Sequence, residues 1–329
     1  MRCIACVIFF SSLLFGSEPP SPRAVQRELK NAKNQFQRAK QMFNPWYTGP
    51  LITPSPGMMP PGRGNIQPYF FFEGTYASFN GNRKSVSLNK NKYSIEQTAL
   101  IFLGITDSVD WTINPSANYN WQQGKGGGGF NDLSTTIGFK ITHEGLYVPG
   151  MKFSITQTFP TGKYKNLSFN GLGLNSTGGG AYQTEFGFAT AKLLWWFYEH
   201  PVNLRYFVGY TLTTSPHVEG FNTYGGDRET RGTVHPGNIF TTDLGIECSL
   251  TQNWVFALDI AYVAQNRTKF SGKSKTPVGG GYSDNLSFAP AIEYVWNPNL
   301  GIIFGSQFSV YGRNSANFAN GQFSVTYTW

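Results

Sequence analysis

The sequence predicts an all-β fold, a transmembrane antiparallel up-and-down β-barrel of about 12 strands preceded by an N-terminal amphipathic helix. Three observations carry this expectation. The chain ends on a strictly alternating strand, its apolar residues are spread thinly instead of being gathered into membrane helices, and the connections between candidate strands alternate between short and long.

On the last strand Phe323, Val325, Tyr327 and Trp329 share one face and Gln322, Ser324, Thr326 and Thr328 the other, because side chains of an extended strand alternate in direction. This ending resembles the signal by which bacterial outer-membrane barrels are recognised for insertion, so the resemblance implies barrel-insertion machinery as a partner for the strand ending at Trp329.

Of 329 residues 13% are charged and 16% aromatic, with 38 Gly; a soluble domain carries about 25% charged residues. The most apolar later stretch, 189–197, is short and holds Lys192, well below the ~20 apolar residues of a membrane helix. Many aromatics and glycines, few charges and no long apolar run together describe a membrane β-barrel, whose lipid-facing residues occupy alternate positions.

Twelve candidate strands run over 69–79, 93–105, 109–121, 132–142, 151–159, 182–197, 202–213, 238–250, 254–265, 285–296, 300–311 and 322–329. Between them the connections 106–108, 143–150, 199–201, 251–253 and 297–299 are short. The alternating set 80–92, 122–131, 160–181, 214–237, 266–284 and 312–321 is long. Outer-membrane barrels have this asymmetry, with tight periplasmic turns and longer outer loops. An even strand count leaves both barrel ends on the periplasmic side.

Alternation also assigns faces. Trp254, Phe256, Leu258, Ile260 and Tyr262 point one way, which turns Asp259 toward the lumen; Trp111, Ile113 and Tyr119 similarly turn Asp110 inward. The same test places the cations Lys140, Lys152 and Arg205 and the carboxylates Asp243, Glu247 and Glu293 inside. A Lys or Arg facing lipid at mid-bilayer costs about 2–4 kcal/mol, so the alternation is enforced. Only the sixth strand departs from it: Glu185 and Lys192 have opposite parity and 193–197 is apolar on both faces, which predicts a bulge or an internal contact. Trp111, Trp121, Trp195, Trp196, Trp254, Trp296 and Trp329 lie near strand ends and fit interfacial girdles.

Residues 1–16 read as a signal peptide, with Arg2 before an apolar stretch at 4–15. Its removal takes Cys3 and Cys6 and leaves Cys248, so no intramolecular disulfide is expected. Residues 17–68 divide into a helix and a Pro/Gly-rich linker. Val25, Leu29, Ala32, Phe36 and Ala39 recur at helical spacing between basic residues. The helix, with Arg27, Lys30, Lys33, Phe36 and Lys40 as its candidate plug residues, has three positions open to it: in the lumen, on the inner leaflet, or in the periplasm. Asn44-Pro45 ends it, and the tract 45–68 reads as an extended linker before a barrel domain over 69–329. Most of the net charge of +8 lies in the leader and helix, so the barrel is only mildly basic and nucleic acid is not an expected partner.

His143, His200, His217 and His235 all fall in turns or loops. His217 and His235 share a loop with Glu219, Asp227 and Glu229, but their spacing matches no strong metal-ligand motif. No metal and no cofactor is expected. Outer-membrane phospholipases carry a strand-borne His-x-Ser pair and outer-membrane proteases an Asp-x-His pair with paired acids; neither pattern occurs here, so the chain is not expected to be an enzyme. The glycine runs 124–129, 178–180 and 279–281 lack the Lys-Ser/Thr of a phosphate loop and read as flexible loops.

The segment Thr158-Phe159-Pro160-Thr161-Gly162-Lys163-Tyr164, with Gly171-Leu172-Gly173 and the lead from Gly180 into the next strand, resembles a Pro-Thr-Gly-x-Tyr segment of the outer-membrane proteins labelled for the MetA pathway of phenol degradation. The resemblance covers 151–187 and implies an outer-membrane barrel, sometimes linked to uptake of small apolar or aromatic molecules. The functional expectation is a bacterial outer-membrane channel for passive diffusion of small solutes, in contact with membrane lipid. The alternative is a non-conducting adhesive barrel that works through its long loops.

Overall fold

The computed structural model describes residues 21–42, 49–197 and 200–329, without the side chains of 36, 38–42 and 195–197. The signal peptide, Asn44-Pro45, and the side chains of Phe36, Lys40, Trp195 and Trp196 lie outside the described residues. Helix α1 (Pro22–Met42) forms one unit and the barrel another. Ser21 caps α1, its Oγ accepting from Ala24 N–H at 3.3 Å, and Pro22 begins the first turn, where its missing N–H costs nothing. Val25 and Leu29 on the apolar face are exposed, and so are the basic Arg27, Lys30 and Lys33.

The barrel is a closed, antiparallel sheet of 12 spanning strands. It opens with β1 (Gly64–Phe79) and β2 (Ser85–Thr106). Next, β3 (Val109–Asn114) and β4 (Ser116–Gln122), interrupted at Pro115, share one spanning position, and β5 (Lys125–Phe130) and β6 (Leu133–Thr142) the following one. Then come β7 (Gly150–Phe159), β8 (Gln183–Phe197) and β9 (His200–Thr213), and, above the barrel, β10 (His217–Glu219) and β11 (Arg231–His235). The wall resumes with β12 (Ile239–Ser249) and β13 (Trp254–Gln265), gives up β14 (Lys269–Lys273) to the small upper sheet, and finishes with β15 (Ser283–Asn297), β16 (Leu300–Arg313) and β17 (Ser315–Thr328). Pairing of β1 with both β2 and β17 closes the cylinder, so neither edge is left open.

The outer surface is apolar along the strands, with Phe70, Phe72, Ile137, Ile141, Tyr206 and Phe304 all exposed. Such a surface is stable only against hydrocarbon. Near the short turns stand Trp254, Trp296 and Trp329, and at the other end Trp121 stacks on Tyr93 with ring centroids 5.7 Å apart, so aromatics mark both interfaces. Together these features place the barrel in the bacterial outer membrane. The register of β8 on β9 shifts between Leu194 and Phe197, where the alternation breaks. Lys192 points outward but sits at the short-turn rim, 3.3 Å from Glu144.

Three connections expected to be long loops are instead continuations of strands. Asn80 Oδ1 accepts the N–H groups of Asn82 and Lys84, Arg83 takes φ 63°, and β2 is under way by Ser85. Gln123 and Gly124, with φ 54° and 73°, make a two-residue turn into β5, so the glycine run is strand and not flexible loop. Asn314, at φ 48°, turns β16 directly into β17. Polarity misled here because beyond the bilayer a strand can be polar on both faces. The connections 160–182, 214–238 and 266–282 are long and pack together: β10, β11 and β14 form a three-stranded sheet, with Val218 and Val234 fully buried beneath it.

Candidate functional site: a strap inside the lumen

β1 begins at Gly64, and the tract expected to be an extended linker runs inside the barrel. At residues 49–53 it lies against the wall formed by β12, β13, β15 and β16. Ile52 N–H and Thr53 N–H donate to the two Asp259 carboxylate oxygens at 3.2 and 3.0 Å, and Thr53 Oγ1 donates at 2.6 Å. Leu51 packs into a cluster of Ala257, Ala289, Ala291 and Ile303. Room for the strap comes from missing side chains. A Cβ on Gly245 would stand 2.9 Å from Pro50 and 3.0 Å from Thr53, and one on Gly305 would stand 2.6 Å from Leu51.

From Thr53 the strap descends toward the short-turn rim. Lys152 Nζ donates to the Gly57 carbonyl at 3.2 Å, and the strap then crosses β2 at Gly104, where a Cβ would meet the Pro60 carbonyl. Gly62 N–H donates to Gly104 O and Gly104 N–H to Arg63 O, which fixes the crossing before β1 starts. Proline is well suited to this path, since it lacks the N–H that a buried extended segment would otherwise have to satisfy.

The inward charges expected from alternation divide into two groups. Lys152, Arg205, Asp243, Glu247, Asp259 and Glu293 are buried and lie within electrostatic reach of one another around Tyr69 and the strap. Arg205 Nε is 2.7 Å from Glu247 Oε2, Arg205 NH2 donates to Oε1 at 3.2 Å, and Asn203 adds a bond at 2.8 Å. The close ion pair, with one hydrogen bond from the guanidinium and one from Asn203, offsets part of the cost of burying both charges. Lys152 pairs with Asp110 at 3.4 Å. Lys140 stands apart at the short-turn rim, where Nζ reaches the Asp107 carbonyl and lies 3.4 Å from His143 Nε2.

Beside the strap a cavity of about 650 Å³ remains. Leu51, Met58 and Met59 line it on the strap side; Phe71, Phe102, Thr136, Ser154 and Glu185 line it on the opposite wall. It reaches from Leu300 and Thr328 at the short-turn rim up to Glu185, near the outer end of β8. Three inward carboxylates escaped the sequence reading of the lumen: Glu73, Glu96 and Glu185. Their signal was present, since each shares parity with pore-facing neighbours such as Phe71, Thr98 and Ala189.

Over the outer mouth, the segment 160–181 bridges from one wall to the opposite loops. Asn120 Nδ2, on β4, donates to the Leu174 carbonyl at 3.0 Å, while the Phe169 ring meets Phe221 at 5.3 Å. The Pro-Thr-Gly segment holds this bridge to the rim. Thr161 Oγ1 accepts Leu133 N–H and donates to Asn131 O, each at 3.0 Å, and Asp132 accepts Gly162 N–H and Gly179 N–H at 2.8 Å. Gly180, at φ 70°, lies against the Tyr164 ring so closely that a Cβ would be 2.3 Å away. These residues are structural clamps.

The loop histidines and acids are engaged with other loop groups. His235 Nδ1 is 2.8 Å from Ser215 Oγ, His217 Nε2 is 3.6 Å from Glu219, and Glu229 pairs with Lys275 at 2.6 Å. Among the described residues no group of three or more His, Cys, Asp or Glu could hold a metal ion.

No protein-family model and no curated protein matches the sequence. Among solved structures, the COG4313 outer membrane channel from Pseudomonas putida F1 aligns with a TM-score of 0.64 and 12% identity, covering 82% of this chain and 97% of that one. This chain shares its fold. Looser overlaps are with the translocator domain of the autotransporter NalP from Neisseria meningitidis (TM-score 0.46, 13% identity, 92% and 97% covered) and with the TodX monoaromatic hydrocarbon channel (0.38, 9%, 82% and 90%).

Proposed function

We propose that the protein is an outer-membrane channel for passive diffusion of small solutes, whose path is the cavity between the strap and the wall from β1 to β9. The observation that carries this reading is the cavity itself, which stays open beside the strap from the short-turn rim to Glu185. Twelve strands lie between the eight that side chains nearly fill and the sixteen that leave a wide pore, so a strap on one side leaves a narrow passage on the other. The cavity wall is apolar at Phe71, Phe102 and Met59 and hydroxylated at Thr136, Ser154 and Thr156, which suits small solutes with an apolar body. The resemblance of 151–187 to the MetA-pathway family supports the same solute range. In this reading the terminal strand ending at Trp329 serves recognition by the barrel-insertion machinery.

The packed cap favours a second reading, an adhesive barrel, because β10, β11 and β14 offer an ordered outer surface. Swelling of proteoliposomes separates the two. A channel admits small solutes and swells the vesicles; an adhesive barrel leaves them as impermeable as protein-free lipid.

A further inference from the structure

The cap over the outer mouth is basic. Its three connections, 160–182, 214–238 and 266–282, together hold eight Lys and Arg but only three acids, Glu219, Asp227 and Glu229. Two of those acids are engaged within the cap: Asp227 accepts the N–H groups of Glu229 and Lys275, each at 2.7 Å, and Glu229 pairs with Lys275 at 2.6 Å. Only Glu219 is left for the other cations.

The register of the small sheet gathers cations on one face. Lys269, Ser271 and Lys273 of β14 point one way and stand opposite His235, Thr233 and Arg231 of β11. His217 and Glu219 of β10 extend the same face, opposite Thr233 and Arg231. The reverse face holds Val218 and Val234, both fully buried, whereas Arg231, His217, His235, Lys269 and Lys273 are all exposed.

Arg231 lies directly across from Lys273. The Cβ atoms of such a pair are about 4.5–5.5 Å apart, and like charges so placed are destabilising. Glu219 relieves this only at one end, 3.5 Å from Arg231 and 3.6 Å from His217. Among the described residues neither Lys269 nor Lys273 forms an ion pair. The face lacks its counter-charge.

Its dimensions and chemistry narrow what could supply one. Lys269 and Lys273 are four residues apart on one strand, about 13 Å, so the face suits successive anionic groups of one chain better than a single ion. Between them the Ser271 and Thr233 hydroxyls can donate to or accept from sugar hydroxyls. The face has no Phe, Tyr or Trp on which a base could stack, and no Leu, Ile or Val to enter a bilayer.

We propose that this exposed face of the cap docks an acidic polysaccharide from outside the cell, with Arg231, Lys269 and Lys273 as its anion contacts. Arg231 offers a planar fork to an acidic group and the two lysines act as point charges. The surface goes beyond the channel reading and does not depend on it, since the lumen contributes none of these residues.

Binding of fluorescein-labelled heparin, a sulfated polysaccharide, to the full protein in uncharged detergent micelles tests the proposal. The wild type should bind it, less tightly as salt rises, and K269Q/K273Q should bind severalfold more weakly. Retarded migration of unboiled protein on a denaturing gel confirms that each variant is a folded barrel. R27Q/K30Q, which removes the same charge from α1, should bind like the wild type, and a single-stranded DNA oligonucleotide of comparable charge should bind more weakly than heparin. Absence of heparin binding by the folded wild type, wild-type affinity in K269Q/K273Q, or an equal loss in R27Q/K30Q overturns the proposal. DNA binding as tight as that of heparin overturns it as well, because the face would then be a general polyanion surface.

Discussion

At Asp259 one carboxylate receives three hydrogen bonds from the strap. Bonds to a charged acceptor contribute about 1.5–3 kcal/mol each, so this single side chain holds the strap more firmly than the burial of Leu51, which contributes at most about 1.5–3 kcal/mol. Asp259→Ala should therefore unseat residues 49–53 without opening the barrel. The expected outcome is faster proteolysis of the strap and a higher open probability, with gel migration unchanged; a variant with wild-type proteolysis would show that the latch lies elsewhere. A second residue-scale prediction concerns Asp227 in the cap. Burial alone would push its carboxyl up, but the N–H groups of Glu229, Lys275 and Thr276 and the Ser274 hydroxyl outweigh it and hold it below the ordinary range. A lowered folded value means that its contribution is complete above the ordinary Asp pKa of about 3.9 and is lost as pH falls through the folded value. Trypsin cleavage at Arg228 and Arg231, assayed at neutral pH, should be faster in Asp227→Asn, and acid exposure should loosen the wild-type cap but add little in the variant.

Among the elements, the strap and its socket are complementary in shape. Gly245, Ala257, Ala289 and Ala291 face inward on successive strands, and the space they leave is taken by Pro50, Leu51 and Thr53. Gly245 is the informative position, because an added Cβ would meet strap side chains and not the barrel backbone. Gly245→Ala should raise conductance while leaving thermal unfolding of the barrel within about 1 kcal/mol of wild type, since no wall contact is lost. Equal conductance in the variant would mean that the strap does not narrow the path. Much of this level was legible in the sequence: the inward placement of Lys152, Arg205 and Asp259 follows from period-two alternation alone. The strap was not, because alternation describes strands and a Pro-rich segment without period reads as a linker. The clue was indirect and lay in the run of inward Ala and Gly on β12 to β16, which leaves a void that something must fill. The continuations of β2, β5 and β17 were hidden for another reason: above the bilayer both faces meet water, so the pattern that marks a strand disappears. Glu185 was read only as a break in the β8 pattern, although its parity with Gly187 and Ala189 puts it in the lumen.

On the scale of the whole molecule, three layers stack along one axis: a short-turn rim closed by Gly64 and Trp329, a mid-lumen narrowed by the strap and its charges, and a cap clamped by Asp132. The first layer fixes the cylinder, the second sets how wide the path is, and the third sets what reaches it from outside. Conductance in planar bilayers, measured for the full chain and for a chain lacking residues 49–59, tests this arrangement most directly. The full chain should pass a small current and the shortened one a clearly larger current through an equally stable barrel. Equal currents, or silence from both folded barrels, would contradict it.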